Sequence, residues 1–442
     1  MKMLKPLVPL FLLIITSYVT AQNPICPPGV YIADPSAHVW ADGKLYVYGS
    51  RDESPDYYCS YDHWVLATNN LSDWEITKDA FASRGSKDQV SYSDAPLYAP
   101  DCQYFNGNYY LYYCLAGGAD IEGYAVSASP TGPFINGKPI KVGGYNQIDP
   151  AVFIDDDGQG YYIWGQFEAK IAKLKPGMTE IDESTIKVGV VNEKEHFFHE
   201  GGYMVKRNGI YYFIYTDISR ANRATSIGYA MSDSPMGPFR YGGVIVDNDH
   251  CDPETWNNHG SIAEFKGKWY IFYHRSTHGS KMMRKACIEP IAFREDGTIP
   301  EVEMTSQGAG EALDAFAEIE AERACLLFGN VRIAGFGSQN EALIKINNDD
   351  AACYKYINFG TGASSVLIKA SPGPKPVRIE LALGQSWGQS LGSIEIPGNG
   401  DGTKVLEYRF PVRKIAGIHA LWLRFYGDNN QIFCVDSFHF EK

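Results

Sequence analysis

The chain has 442 residues, 45% of them hydrophobic, and carries a formal net charge of −13. That length favours two domains over one, and the hydrophobic share is enough for a real core. Acidity without basic clusters argues against nucleic acid and anionic membrane surfaces as partners.

The first feature in chain order is a leader. Lys2 and Lys5 precede a largely apolar stretch from Leu7 to Val19, and Val19-Thr20-Ala21 offers a small-residue cleavage site before Gln22. Residues 1–21 are therefore expected to be a signal peptide, with a secreted or periplasmic product and no membrane insertion after cleavage. A membrane anchor is the weaker alternative, because Pro9 interrupts a short run and no later segment is long enough to span a bilayer. The nine cysteines contain no Cys-x-x-Cys pair, so neither a zinc site nor a thioredoxin-type motif is expected. Most should be buried free thiols, although Cys102 and Cys114 flank a turn and could face each other.

Past the leader, one pattern recurs: a turn with glycine, then an aromatic-rich strand. The copies are Asp42-Gly43 before Leu45-Tyr46-Val47-Tyr48, Asn106-Gly107 before Tyr109 to Tyr113, Asp157-Gly158 before Tyr161 to Trp164, Asn208-Gly209 before Tyr211 to Tyr215, and Lys266-Gly267 before Trp269 to Tyr273. The glycines are separated by 64, 51, 51 and 58 residues. Asn-Gly and Asp-Gly between apolar runs are hairpin signals. An apolar strand precedes each turn and another follows the aromatic strand, so each unit holds about four short antiparallel strands, the size of a propeller blade. The expected fold is all-β: a five-bladed β-propeller over residues 22–303. Gly308 and Gly310 mark a linker, 304–315, and residues 316–442 read as a β-sandwich (jelly-roll) domain without the repeat.

Counting back nine residues from the turn glycine reaches Asp34, Asp149 and Glu200 in the first, third and fourth units; counting back eight in the fifth reaches His259. Equivalent blade positions face the central axis at one end, so the four should meet in one pocket. Each alone has a bland explanation as a turn cap, a solvated acid or a core histidine. Together, register-matched carboxylates in apolar strands lose hydration and repel one another, which fold stability does not reward. Glycoside hydrolysis needs such a set: one acid kept protonated for the leaving oxygen, and one carboxylate kept ionised to activate water or attack the sugar.

Ala33-Asp34-Pro35-Ser36, Ile148 to Phe153, His199-Glu200-Gly201-Gly202, Tyr98-Ala99-Pro100-Asp101, Ser232 to Phe239 and His259-Gly260-Ser261 together resemble glycoside hydrolase family 43. The resemblance implies an inverting mechanism with Asp34 as general base, Asp149 as pKa modulator and Glu200 as general acid. It also implies sugar contacts from Tyr98 and from Arg284 in Met283-Arg284-Lys285-Ala286, and a cation on the propeller axis near His259. Ile319-Glu320-Ala321-Glu322, Ile357 to Gly360 and Phe433 to Phe438 resemble a family 6 carbohydrate-binding module, which implies a structural calcium on Glu320, Glu322 and Asp436. No cofactor is expected for the chemistry. The substrate implied is a plant-type polysaccharide or oligosaccharide giving up α-L-arabinofuranose or β-D-xylose. Endo-xylanase, arabinanase or galactan-directed action on the same fold and a non-catalytic glycan-binding propeller are the alternatives. A retaining fructosidase-like enzyme would carry Asn-Asp-Pro and Arg-Asp-Pro where Ala33 and Ile148 stand here.

Overall fold

The computed structural model describes residues 22–118, 121–338, 340–427 and 433–442, so the expected signal peptide lies outside the described residues. Among those residues the only α-helical turn is Glu193–His196; the rest is strand, loop and short 3-10 turns. No helix among them is long and apolar enough to cross a membrane.

Residues 32–291 form five successive antiparallel sheets. The first contains Ile32–Val39, Leu45–Arg51, Asp62–Thr68 and Glu75–Ala82, and the second begins with Leu97–Phe105, the third with Ala151–Ile154, the fourth with Phe198–Arg207 and the fifth with Ser261–Phe265. The repeat's aromatic strand is the second strand of every sheet. The turns before it close in two residues in the second, fourth and fifth sheets: Phe105 pairs with Asn108, Arg207 with Ile210 and Phe265 with Lys268. Both loop residues have positive φ there, as such hairpins require. Mid-sheet placement fully buries one tyrosine in every copy, and its phenol donates to an acceptor: Tyr48 to Pro130 O, Tyr112 to Met178 O, Tyr162 to Glu122, Tyr212 to Gly297 O and Tyr273 to Glu289.

The fifth unit departs from the expected four strands, having only three: Ser261–Phe265, Lys268–Thr277 and Ser280–Ile291. The N-terminal segment lies where a fourth would pair. Ile25 N donates to Ala286 O at 2.9 Å, and Asn23 exchanges side-chain bonds with Ile288 N and O at 2.8 and 3.0 Å.

The first strands of the sheets touch in sequence, one to two, two to three, three to four, four to five, and five back to one. Polar side chains stitch them. Asp101, 1% exposed, accepts from Ser36 Oγ at 2.6 Å and Val152 N at 2.7 Å and lies 2.7 Å from His38 Nε2. Ser261 Oγ donates to Pro35 O and accepts from Ala37 N, and Tyr203 donates to Ala37 O. Buried bonds of this kind, fully paired, fix one arrangement of strands.

The nine cysteines are free and buried. Cys102 and Cys114 do not face each other: Cys102 sits opposite Leu111 and Cys114 opposite Tyr98. The stretch expected as a linker is tied in, with Thr305 and Ser306 buried and Asn23 N donating to Ser306 O at 3.0 Å.

The C-terminal part stacks two sheets. One runs through Leu313–Asp314, Ala351–Asn358, Ile418–Gly427, Val377–Leu383 and Ser390–Ile396; the other through Arg332–Phe336, Asn340–Ile344, Cys434–Glu441, Ala363–Ser371 and Leu406–Ile415. Their facing side chains make one core, in which Tyr354 of one sheet meets Phe438 of the other edge-on at 4.9 Å.

Candidate active site

A backbone irregularity recurs in the first strands. The ladder slips between Ala33 and Ser36, between Tyr98 and Asp101, and between Glu200 and Tyr203. Bulges of this kind bend a strand and re-aim a side chain. Asp34 and Asp149 both adopt left-handed φ, 52° and 64°, and Gly201 has φ 67°. A Cβ at Gly201 would stand 2.7 Å from the His259 ring, so only glycine lets Glu200 and His259 approach there.

The four register-matched residues do meet. Asp34, Asp149, Glu200 and His259 line one cavity of about 270 Å³, with Tyr98 and Arg284 also on its wall. The carboxylates are almost fully buried, 5–6% exposed.

Their surroundings differ. Asp34 Oδ1 accepts from Arg284 Nη1 at 2.8 Å and Oδ2 from Ser50 Oγ at 2.7 Å, while His274 Nδ1 and His259 Nδ1 lie 3.5 and 3.7 Å away. Burial alone would raise its pKa, but the Arg284 guanidinium, with help from both histidines and Ser50, holds it down at about 2. Asp149 has no cation in contact. Burial, then the charges of Glu200, Asp34 and Glu122, push its carboxyl well above the usual range, against a smaller pull from Arg284. Glu200 Oε2 accepts from the Gln166 side-chain amide at 2.8 Å. His259 Nδ1 stands 3.9 Å from Asp149 Oδ2, and burial lowers its pKa despite Asp34 and Glu200 nearby. Burial pushes the Tyr98 phenol up to about 12.

Arg284 has every guanidinium nitrogen engaged within the protein. Nε and Nη2 grip Asp52 with two bonds of 2.9 Å, Nη1 holds Asp34, and the group lies 5.1 Å from the Tyr58 ring centroid. It borders the cavity as the clamp on Asp34.

Sequence reasoning missed Asp52, Gln166, His274 and Trp256. Gln166 and Trp256 lie on the cavity wall, and Asp52 and His274 sit behind Asp34. None occupies the repeat register. The available signal was position: Asp52 follows the first aromatic strand's Arg51 directly, as Gln166 follows Trp164-Gly165 in the third unit.

Among the described residues, no three His, Cys, Asp or Glu side chains stand as a metal-ligand set. Asp436 Oδ1 accepts from Asn340 at 2.6 Å, and Glu322 is buried with Oε2 unpartnered. The charge of Asp436 acts on Glu320, and that of Glu320 on Glu322, and no chemical step is assigned to a metal.

Buried carboxylates of opposed character around one pocket are the equipment of acid–base hydrolysis, and comparison with known proteins agrees. The family model of glycosyl hydrolases family 43 matches residues 21–299. The chain belongs to that family. The family 43 hydrolase continues into a match to carbohydrate binding module family 6 over residues 329–442. A xylosidase/arabinosidase of Thermoclostridium stercorarium is 34% identical over 350 residues, 69% of this chain and 72% of that protein. Among solved structures, a family 43 β-xylosidase/α-arabinofuranosidase from a compost microbial metagenome, in a calcium-free form with xylotriose, is 32% identical with TM-score 0.54 over 64% of this chain and 98% of that one. A family 43 arabinoxylan arabinofuranohydrolase from Bacillus subtilis, in complex with cellotetraose, is 25% identical with TM-score 0.55 over 96% of this chain and 99% of that one. The family 43 chain is thus a glycoside hydrolase whose substrate is carbohydrate.

Proposed function

We propose that the protein is an inverting, exo-acting glycosidase that removes α-L-arabinofuranose or β-D-xylose from plant-type glycans, with the five sheets serving as the blades of a propeller. The ring of first-strand contacts supports the propeller reading. Two observations favour pentose release: the xylosidase/arabinosidase named above, and the arabinoxylan arabinofuranohydrolase that matches almost the whole chain, C-terminal sheets included.

The observation that carries the mechanism is the contrast between Asp34, held ionised by Arg284, and Asp149, which burial and the charge of Glu200 push the other way. In the proposed reaction a water gives its proton to Asp34 and its oxygen bonds to the anomeric carbon. The glycosidic bond breaks on the opposite face, and the departing oxygen takes the proton of Glu200. Gln166 fixes Glu200 Oε2, so the acidic proton is assigned to Oε1. Attack on an oxocarbenium-like centre suits a base as weak as Asp34.

The test combines stereochemistry and leaving groups. Proton NMR of the first-formed sugar, on a panel of nitrophenyl pentosides, should show the anomer opposite to the substrate. Glu200→Ala should lose about 10²–10⁴-fold on a natural glycan yet keep much of its rate on a dinitrophenyl glycoside, whose leaving group needs no proton. Asp34→Asn should be nearly inactive on both. Retention of configuration, or equal losses in both variants on both substrates, would overturn the assignment.

A further inference from the structure

Arg284 and Lys285 are neighbours on one strand, so their side chains leave its two faces. Arg284 turns inward to Asp34 and Asp52. Lys285 turns the other way and meets Glu341, a residue of the C-terminal sheets, at 2.5 Å. Both partners are almost wholly buried, at 2% and 1% exposure.

Glu341 also reaches the segment that leads into the strand carrying Asp34. Its Oε1 accepts from the Tyr31 hydroxyl at 2.6 Å and from Gly29 N at 3.4 Å. Tyr31 stands three positions before Asp34, its ring lies 5.0 Å from Lys285 Nζ, and its carbonyl accepts from Asp52 N at 3.1 Å. One carboxylate of the second domain therefore grips both sides of the Asp34–Arg284–Asp52 assembly from behind.

Nothing about folding requires this. A buried ion pair is weak evidence of stability, because desolvation offsets most of the attraction. What it does supply is a fixed geometry: Glu341 cannot move without moving Lys285 or Tyr31.

We propose that Glu341 is a positioning residue for the hydrolase, through which the C-terminal domain sets the placement of Asp34 and Arg284. The inference rests on the reading of Asp34 as the base. Misplacing a catalytic group by about 1 Å can cost as much as 10²-fold in rate, without a matching loss of substrate binding.

The experiment uses the full chain. Glu341→Gln keeps the side chain's shape but loses the charge that holds Lys285. Tyr31→Phe removes only the hydroxyl link and leaves no buried charge alone. Both should lower kcat on a nitrophenyl pentoside by about tenfold, with KM changed by less than about twofold. Glu341→Gln with Lys285→Met should be no slower than Glu341→Gln alone, because both changes cut the same link. Melting temperature is followed in parallel. A drop in melting temperature with kcat unchanged in both variants would make the contact merely structural and overturn the proposal, as would strictly additive losses in the double variant. Asp34→Asn, assayed alongside, separates the two readings. If it stays active the base assignment falls, whereas an inactive Asp34→Asn with a wild-type kcat in Tyr31→Phe and Glu341→Gln removes only Glu341.

Discussion

Asp34 and Asp149 begin alike. Each precedes a proline, each has left-handed φ, and each lies at the same place in the repeat. Contacts alone separate them: a guanidinium holds one at about 2, while burial and the neighbouring Glu200 raise the other. Asp34 therefore stays ionised throughout the working range and cannot set the acid limb of activity. The group whose proton leaves on the alkaline side is Asp149, raised by burial and then by the charge of Glu200. Asp149→Asn removes that titrating carboxyl. That substitution should therefore move the alkaline limb of kcat/KM as well as slow the reaction. A pH–rate profile with an unmoved alkaline limb would leave Asp149 an orienting role only. Asp34, Asp149, Glu200 and His259 were legible because the repeat gives their positions a common address. Asp52 and His274 were not, because each meets its partner, Arg284 or Asp34, more than 200 positions away in sequence. A sequence pattern cannot express that kind of pairing. The same blindness concealed the clamp role of Arg284.

The elements carry function through their irregularities. A regular strand would alternate its side chains between two faces. The slips after Ala33, Tyr98 and Glu200 break that alternation at one level of the molecule and turn three side chains into the same cavity. The turns and aromatic strands that count the sheets could be read in advance. The bulges could not, since Gly201-Gly202 gives no sign of the ring that needs the space. Two glycines with similar backbone angles test this. Gly201, φ 67°, has the His259 ring 2.7 Å from where its Cβ would be, whereas Gly209, φ 80°, has nothing within 4 Å. Gly209→Ala should cost about 1–2 kcal/mol of stability from its left-handed backbone and leave kcat unchanged. Gly201→Ala should carry that cost and also lower kcat about tenfold or more by displacing His259 from the carboxylates. Equal turnover in the two variants, measured at saturating substrate with melting curves alongside, would mean that the His259 approach is irrelevant to the chemistry.

Across the whole molecule, what joins the sheets is polar as well as apolar, and one of these joints makes stability depend on pH. Glu122, from the second sheet, is fully buried and accepts from Tyr162 of the third at 2.7 Å, while its Oε1 has no partner. Burial, eased only partly by Tyr162 and a backbone bond, pushes its pKa from the ordinary 4.5 to about 8. In the unfolded chain the same group titrates near 4.3. A carboxyl whose pKa is higher folded than unfolded contributes stability that is complete below the unfolded value. That contribution fades as pH rises and is gone above the folded value. The window for Glu122 therefore runs from about pH 4.3 to about pH 8, and the change across it is on the order of 5 kcal/mol. Asp149, also raised, acts in the same direction. Burial holds His63 and His274 well below the ordinary histidine value, and they act the other way below about pH 6.5, so the wild-type melting temperature should fall as pH is taken from 7 to 9. Glu122→Gln offers Tyr162 an acceptor of the same shape without a titrating proton, so its melting temperature should fall less steeply and exceed the wild type's at the alkaline end. Calorimetric scans of both proteins at matched ionic strength decide the matter: parallel curves would mean that Glu122 is already ionised in the folded core and that another group governs alkaline stability.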